Sequence, residues 1–227
     1  MSTLNIEQVR EELCNTLRSN DVFSITLRGV TTKTDTLTAT AGQTILNLTF
    51  PSVHNIRSLT VNATPYSLFK DYTINWTTGV ITMNVGLTLA DAVIVIYDYG
   101  ATDKIYPDFP REDISLKSYP RIGIQLVGTS TEPLGLGGMV HISDLMITIG
   151  TWMPVNKDSD ITGALGGTND MSVTLSKIRD VIRANAKSFY TFKYIYPSGT
   201  TPIMSSTNNK IIQQGENFII KFVVENN

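Results

Sequence analysis

Asp71-Tyr72-Thr73-Ile74-Asn75-Trp76-Thr77-Thr78-Gly79-Val80-Ile81-Thr82-Met83 contains the strongest local folding signal in the sequence. Two short runs of β-branched and aromatic residues, Asp71 to Asn75 and Val80 to Met83, flank Trp76-Thr77-Thr78-Gly79. The pattern predicts a β-hairpin with Gly79 at a position that needs positive φ. The same texture extends outward from about Thr36 to Gly100. Leu37, Ile45, Leu46, Leu48, Leu59, Val61, Ile74, Val80, Ile81 and Met83 fall in short segments separated by turn residues, and Ala92 to Tyr99 (AVIVIYDY) closes the region. Strands recurring at roughly 8–12 residues predict a small all-β sandwich or barrel.

Towards the N-terminus, the polar stretch TTKTDT has no apolar periodicity and reads as the point where the chain leaves one domain for another. Before it, Val22 to Val30 (VFSITLRGV) reads as a strand. Asn5 can cap a helix with Gln8 at N3, and Ile6, Val9, Leu13 and Leu17 then share one stripe, ending near Ser19-Asn20-Asp21.

Towards the C-terminus, Asp103 to Pro120 holds Pro107, Pro110 and Pro120 and reads as an extended connector outside any ladder. Arg121 to Gly128 alternates as a strand, Thr129 to Gly138 reads as a loop, and Met139 to Trp152 as a long strand. After a Gly-rich loop, Val155 to Asn169, a helix capped by Asn169 or Asp170 would place Leu175, Ile178, Ile182 and Ala186 on one face, with Lys177, Arg179, Arg183 and Lys187 largely opposite. Strands over Phe189 to Tyr196 and Asn217 to Val224, with a third short one at Lys210 to Gln214, finish the chain. The expected class is therefore α+β, two helices packed on a largely antiparallel sheet. Residues 1–33 and 103–227 would form that core, and residues 34–102 an inserted sandwich-like β-domain.

Bulk composition narrows the function. The 227 residues are 41% hydrophobic and only 17% charged, which suits a folded, hydroxyl-rich β protein rather than a disordered one. Eighteen basic against 20 acidic residues give a formal charge of −2, with no excess for tight nucleic-acid binding. No secretory leader is expected in MSTLNIEQVREEL, and no apolar run of ~18 residues predicts a membrane span.

Catalytic chemistry is not expected. His54 and His141, the two histidines, fall in different domains without metal-ligand spacing; His141 reads as a half-exposed strand position and His54 as a loop residue. Cys14, the single cysteine, sits on the first helix stripe as a small buried hydrophobe. There is no G-x-S-x-G elbow. The acidic pairs Glu11-Glu12, Glu112-Asp113 and Asp158/Asp160 read as solvated groups. The glycine clusters at Gly135 to Gly138 and Gly163 to Gly167 lack the Lys-Ser or Lys-Thr of a phosphate loop and read as assembly loops. The basic face of the second helix reads first as solvated, then as an intersubunit salt-bridge surface, and third as a DNA-facing one. No metal and no cofactor is expected.

The block Ser118-Tyr119-Pro120-Arg121-Ile122-Gly123-Ile124 resembles the (F/Y)-P-R-(I/V)-x-(V/I) start of a strand in tail-terminator and tail-completion proteins of tailed phages and tailed archaeal viruses. The order of elements over 1–33 and 103–227 is similar as well. The LxVNxxPxxxxxDYTINxxTGVIT pattern from Leu59 to Thr82 resembles small β-domains of phage virion proteins. The resemblance implies a non-enzymatic structural protein of the virion tail or neck, assembled in the host cytoplasm. It would form a homohexameric ring that caps the tail tube, ends its polymerisation and joins it to the head. Its partners would be itself, the tail tube protein and a head-side connector or stopper protein, with genomic DNA passing through the lumen without sequence-specific binding. Within that reading Tyr119, Pro120 and Arg121 form a hinge, with Arg121 a candidate to pair with a carboxylate. Leu134, Gly135, Leu136, Gly137 and Gly138, and Asp158, Asp160, Gly163, Gly166 and Gly167, are candidate subunit contacts. A neck or stopper protein is the nearest alternative. A tail-associated glycan-binding module, using Tyr66, Tyr72 and Trp76 if exposed, is a second, and a wall-degrading enzyme using a carboxylate pair the weakest.

Overall fold

The computed structural model describes residues 5–23, 28–109, 121–133, 140–154, 167–205 and 211–225. It divides the chain into two compact units, Met1–Leu17 with Lys104–Asn227, and Arg18–Asp103.

The Arg18–Asp103 unit holds β1 (Thr31–Thr38), β2 (Ile45–Asn47), β3 (Val53–Val61), β4 (Thr64–Tyr66), β5 (Tyr72–Asn75), β6 (Val80–Met83) and β7 (Ala92–Tyr99). They form a four-stranded sheet, β1-β7-β3-β4, and a three-stranded sheet, β2-β6-β5. The expected hairpin is present: Tyr72 pairs with Met83 and Asn75 with Val80. Gly79 has φ 72°, and its N–H donates to the Asn75 carbonyl at 2.8 Å. The Asn75 side chain accepts from the N–H groups of Thr77 and Thr78, both at 3.1 Å, which fixes the turn. Leu46, Leu48, Ile81 and Met83 of the small sheet share one core with Leu59, Val61, Val93, Val95 and Tyr97 of the larger. Each such side chain contributes roughly 1.5–3 kcal/mol on burial.

Two expectations fail in this unit. Thr31 to Thr36, read as a polar link, is most of β1, which pairs with β7 from Thr31↔Tyr99 to Thr38↔Ala92. As an edge strand it needs little apolar periodicity, and its buried position is Asp35. The Asp35 carboxylate accepts from Thr49 N–H (2.7 Å), Thr49 Oγ1 (2.9 Å) and the Tyr97 hydroxyl (3.0 Å), so a satisfied charge stands where a hydrophobe would have shown the pattern. The strand expected over Val22 to Val30 is not found in its described part. Val22 and Phe23 form a turn on Asn20, whose side chain and carbonyl accept their N–H groups at 3.1 and 3.0 Å, and Arg28 is helical. Residues 24–27 lie outside the described residues.

Helix α1 spans Ile6–Ser19 and starts as expected, with the Asn5 side chain accepting from Glu7 N–H (3.1 Å) and Gln8 N–H (3.4 Å). Val9, Leu13, Cys14 and Leu17 are buried. The Lys104–Asn227 part contributes β8 (Ile105–Tyr106), β9 (Arg121–Pro133), β10 (Val140–Pro154), α2 (Gly167–Ala184), β11 (Tyr194–Thr200), β12 (Met204–Ser205) and β13 (Ile211–Glu225). They form one sheet in the order β11-β13-β10-β9-β8, with β12 also on β13. Helix α2 packs on β10, β13 and β11 through Met171, Leu175, Ile178 and Ile182, over Leu145, Ile147, Ile149, Phe218 and Ile220.

The expected α+β class is thereby corrected. Among the described residues the protein is mostly β, with 51% of them in strands and three sheets against the two helices α1 and α2. Hydroxyl-rich strand carries no apolar period and so reads as loop. Thr129 to Glu132, read as loop, continues β9 opposite Leu145 to Ile142, because threonine is a good strand former even where no apolar residue marks the period. The two C-terminal pieces are one strand of 15 residues running through Gly215. The connector also joins a ladder, since Ile105 and Tyr106 pair in parallel with Ile122 and Gly123. Phe189 and Phe192 are buried but precede the strand, which starts at Tyr194. Helix α2 begins at Gly167 rather than at an Asn169 or Asp170 cap, and ends before Ala186.

Candidate functional site

The sheet face opposite α2 is read row by row from the strand register. Residues directly across an antiparallel ladder project to the same side. Row by row from β13 through β10 to β9, the face carries Lys221, Asp144 and Ser130, then Ile219, Met146 and Gly128, then Asn217, Thr148 and Gln125, then Gly215, Gly150 and Gly123, then Gln213, Trp152 and Arg121. Tyr194 and Tyr196 of β11 extend the first two rows. Polar groups tie the rows together: Lys221 to Asp144 at 3.4 Å, Thr148 Oγ1 to Asn217 Oδ1 at 2.6 Å, and Trp152 Nε1–H to Gln213 Oε1 at 2.8 Å.

The three adjacent glycines make a trough across the sheet. A Cβ on Gly150 would stand 2.6 Å from Trp152 Cη2 and 3.0 Å from Phe109 Cζ, and one on Gly215 would stand 2.5 Å from Thr148 Cγ2. A Cβ on Gly123 would collide with the Asp108 carbonyl. The trough thus receives the Trp152 indole, and Phe109 meets that ring edge-on at 4.5 Å. These glycines were not singled out in the sequence; a lone glycine in the middle of a strand pattern was the available signal.

Away from the trough, β9, β10 and β13 continue as a three-stranded arm whose tip aligns Pro133, His141 and Val224. In β9, Gln125 and Val127 to Glu132 are exposed, with a bulge at Val127. Among the described residues no strand pairs with the outer edge of β9 beyond Gly123, nor with the outer edge of β13 beyond Lys221. Long exposed edges are normally blocked by lysine, proline or an early bulge. Here the ten residues Ile124 to Pro133 contain one charge, Glu132, and a proline only at the end.

Most candidate contact residues fall outside the described residues: Tyr119 and Pro120, Leu134 to Gly138, and Asp158, Asp160, Gly163 and Gly166. Gly167 is the first residue of α2. Arg121 is buried at the start of β9, donates to Asp108 Oδ1 at 3.2 Å and lies over the Tyr106 ring at 3.6 Å from its centroid. The basic face of α2 is not simply solvated, because Arg179 donates through Nε and Nη2 to buried Glu216 at 2.8 and 2.7 Å. Nor is Glu12 a solvated acid. It is buried and accepts from the N–H groups of Tyr190 (2.6 Å) and Thr191 (3.0 Å) and from the Thr191 hydroxyl. Glu112, Asp113 and the Asp158/Asp160 pair lie outside the described residues. Among the described residues no group of three His, Cys, Asp or Glu could hold a metal ion. No helix among them is long and apolar enough to cross a membrane.

In the Arg18–Asp103 unit, the residues proposed for glycan stacking do not form a platform. Tyr72 is buried, and Tyr66 and Trp76 are half-buried against the core. The charge instead concentrates on Arg28, which is 1% exposed. Arg28 donates to Asp98 (2.8 Å), Asn55 (2.7 Å), Asp103 and the Arg18 carbonyl. Arg57 bridges Asp98 and Asp21, both at 2.8 Å. His54 is in β3 rather than a loop, and its Nε2 is 2.8 Å from the Gly100 carbonyl. Burial pulls its pKa below 6.5, outweighing the Gly100 carbonyl and Asp103, which raise it.

No known protein family matches the chain, and no curated protein matches it.

Proposed function

We propose that this chain is a non-enzymatic structural subunit of a tailed virion. It closes into a ring that caps the tail tube, ends tube growth and joins the tube to a head-side connector or stopper. The observation that carries the reading is the arm with two unlike open edges. Strands β9 and β13 both run antiparallel to β10 and therefore parallel to each other. Rotation about an axis along the strands brings β13 of one copy against β9 of the next in the same direction. Such a contact joins two different surfaces, and repeated rotation closes it. Main-chain hydrogen bonds supply the affinity of such an edge-to-edge joint.

The Tyr119-Pro120-Arg121 block supports the terminator assignment by resemblance. The test is cross-linking mass spectrometry on assembled virions. Links from this chain to both the tube protein and the head-side connector are expected. Links to the connector alone would make it a neck or stopper protein, and links to neither would refute the reading.

A further inference from the structure

The sheet face opposite α2 carries an apolar row bordered by two polar ones. Tyr196 of β11, Ile219 of β13, Met146 of β10 and Gly128 of β9 stand level across the strands. Tyr196 is 38% exposed and Met146 41%, and a Cβ on Gly128 would meet nothing within 4 Å, so the row runs out into open space. One row towards the arm tip stand Tyr194, which is 69% exposed, Lys221 and Asp144. One row the other way stand Asn217 and Thr148.

The polar groups hold one another in place. Lys221 lies 3.4 Å from Asp144 and also interacts with the Tyr196 hydroxyl, and Thr148 Oγ1 donates to Asn217 Oδ1 at 2.6 Å. A ligand therefore meets side chains that are already ordered. Asp144 Oδ1 has no hydrogen-bond partner among the described residues, an acceptor the fold leaves unmet. Lys221 and Asp144 cancel, so the patch has no net charge to draw an anionic membrane.

Size and chemistry decide what it fits. Four strands and three rows make a patch roughly 14 Å on each side, about 200 Å². A stable protein interface takes about 800 Å² from each partner. A short sugar chain matches both the size and the pattern. Its rings present C–H groups on their faces, which pack on tyrosine and methionine, and hydroxyls at their rims, which meet the polar rows. With the single carboxylate of Asp144 the patch is a holding site, without the acid pair of a glycosidase.

We propose that this patch binds a neutral oligosaccharide laid across the strands, with Tyr194 and Tyr196 as stacking surfaces and Asp144, Lys221 and Asn217 as hydroxyl partners. The site does not depend on the ring; within a ring, this face is the outer one.

The test is saturation-transfer NMR on the full chain with cellohexaose, maltohexaose and chitohexaose as neutral probes. At least one is expected to receive saturation at its C–H protons, and titration gives its affinity. Tyr194→Ala and Tyr196→Ala should each weaken binding on the order of tenfold, the loss of one stacking contact. Tyr190→Ala, an exposed tyrosine ahead of β11, should leave it unchanged. Should an alanine variant lose its circular dichroism, Met146→Lys, exposed on the central row, takes its place and should abolish binding. Saturation of none of the three sugars, or binding indifferent to the patch variants, would overturn the proposal. So would an oligomer that Tyr194→Ala breaks while no sugar binds, since the patch would then be a protein contact.

Discussion

The Cβ that Gly150 lacks would stand 2.6 Å from Cη2 of Trp152, two residues further along the same strand and on the same face. The indole lies where the glycine leaves room, beside Gly123 on the neighbouring strand. Gly150→Ala forces the ring away from Phe109 and from Gln213, and overpacking of this kind costs roughly 1–3 kcal/mol. Urea unfolding followed by tryptophan fluorescence is expected to show that loss, together with an emission shift from Trp152.

Glu12 holds the N–H groups of both Tyr190 and Thr191. Removing the carboxylate breaks both part-buried bonds, at roughly 1 kcal/mol for each. Glu12→Ala should therefore lower the midpoint of thermal unfolding by several degrees, while Glu11→Ala, one position along the same helix, should leave it nearly unchanged. Paired melts by circular dichroism check the contrast.

Arg28 is a buried side chain that joins Asp98 to Asp103 directly. Arg28→Met takes the buried cation away from Asp98, which keeps Arg57 and Thr32, and from Asp103, which keeps Arg18, and is expected to cost about 3–5 kcal/mol, the usual penalty for breaking a buried ion pair. Arg28→Lys should restore only part of it, because an ammonium cannot reach Asn55, Asp98 and Asp103 as one planar fork. Chemical denaturation of the three proteins gives the order.

Asp98 sets the acid limit of the same unit. Burial raises its pKa, but hydrogen bonds from Arg57 and Thr32 and the charge of Arg28 together bring it below 3.8. A lowered carboxylate contributes stability that is complete above 3.8 and is lost as pH falls through the folded value. The wild type should lose stability steeply below pH 4, and Asp98→Asn should be weaker at neutral pH but flatter over that acid range, measured by denaturant midpoints at each pH.

What the sequence made legible follows from which forces write a pattern. The α1 stripe of Val9, Leu13 and Leu17 and the Gly79 hairpin are local, and both are found where the spacing puts them. The balance of classes was not legible. Strand β1 and the Thr129 to Glu132 end of β9 are built largely from threonine and serine with one or no buried face, so their partners, not their apolar period, make them strands. The trough at Gly123, Gly150 and Gly215 depends on three distant segments falling into one register, and Arg28 meets Asp98 and Asp103 across 70 and 75 residues of chain. Neither leaves a mark at short range. Of the expected site residues, Arg121 is the one whose side-chain partners are visible, and they are Asp108 and Tyr106 of the preceding connector.

The ring reading stands or falls on the open edge of β9, so the decisive measurement is the mass of the purified full-length protein by native mass spectrometry, for the wild type and for Thr131→Lys. Thr131 is exposed on that edge and lies level, through Ser143, with Phe222 on the open part of β13, where a lysine blocks strand addition without touching the core. The account predicts one closed oligomer, a hexamer, for the wild type and monomers with unchanged circular dichroism for Thr131→Lys. A wild type that remains monomeric at every concentration, or an oligomer indifferent to the lysine, would contradict it.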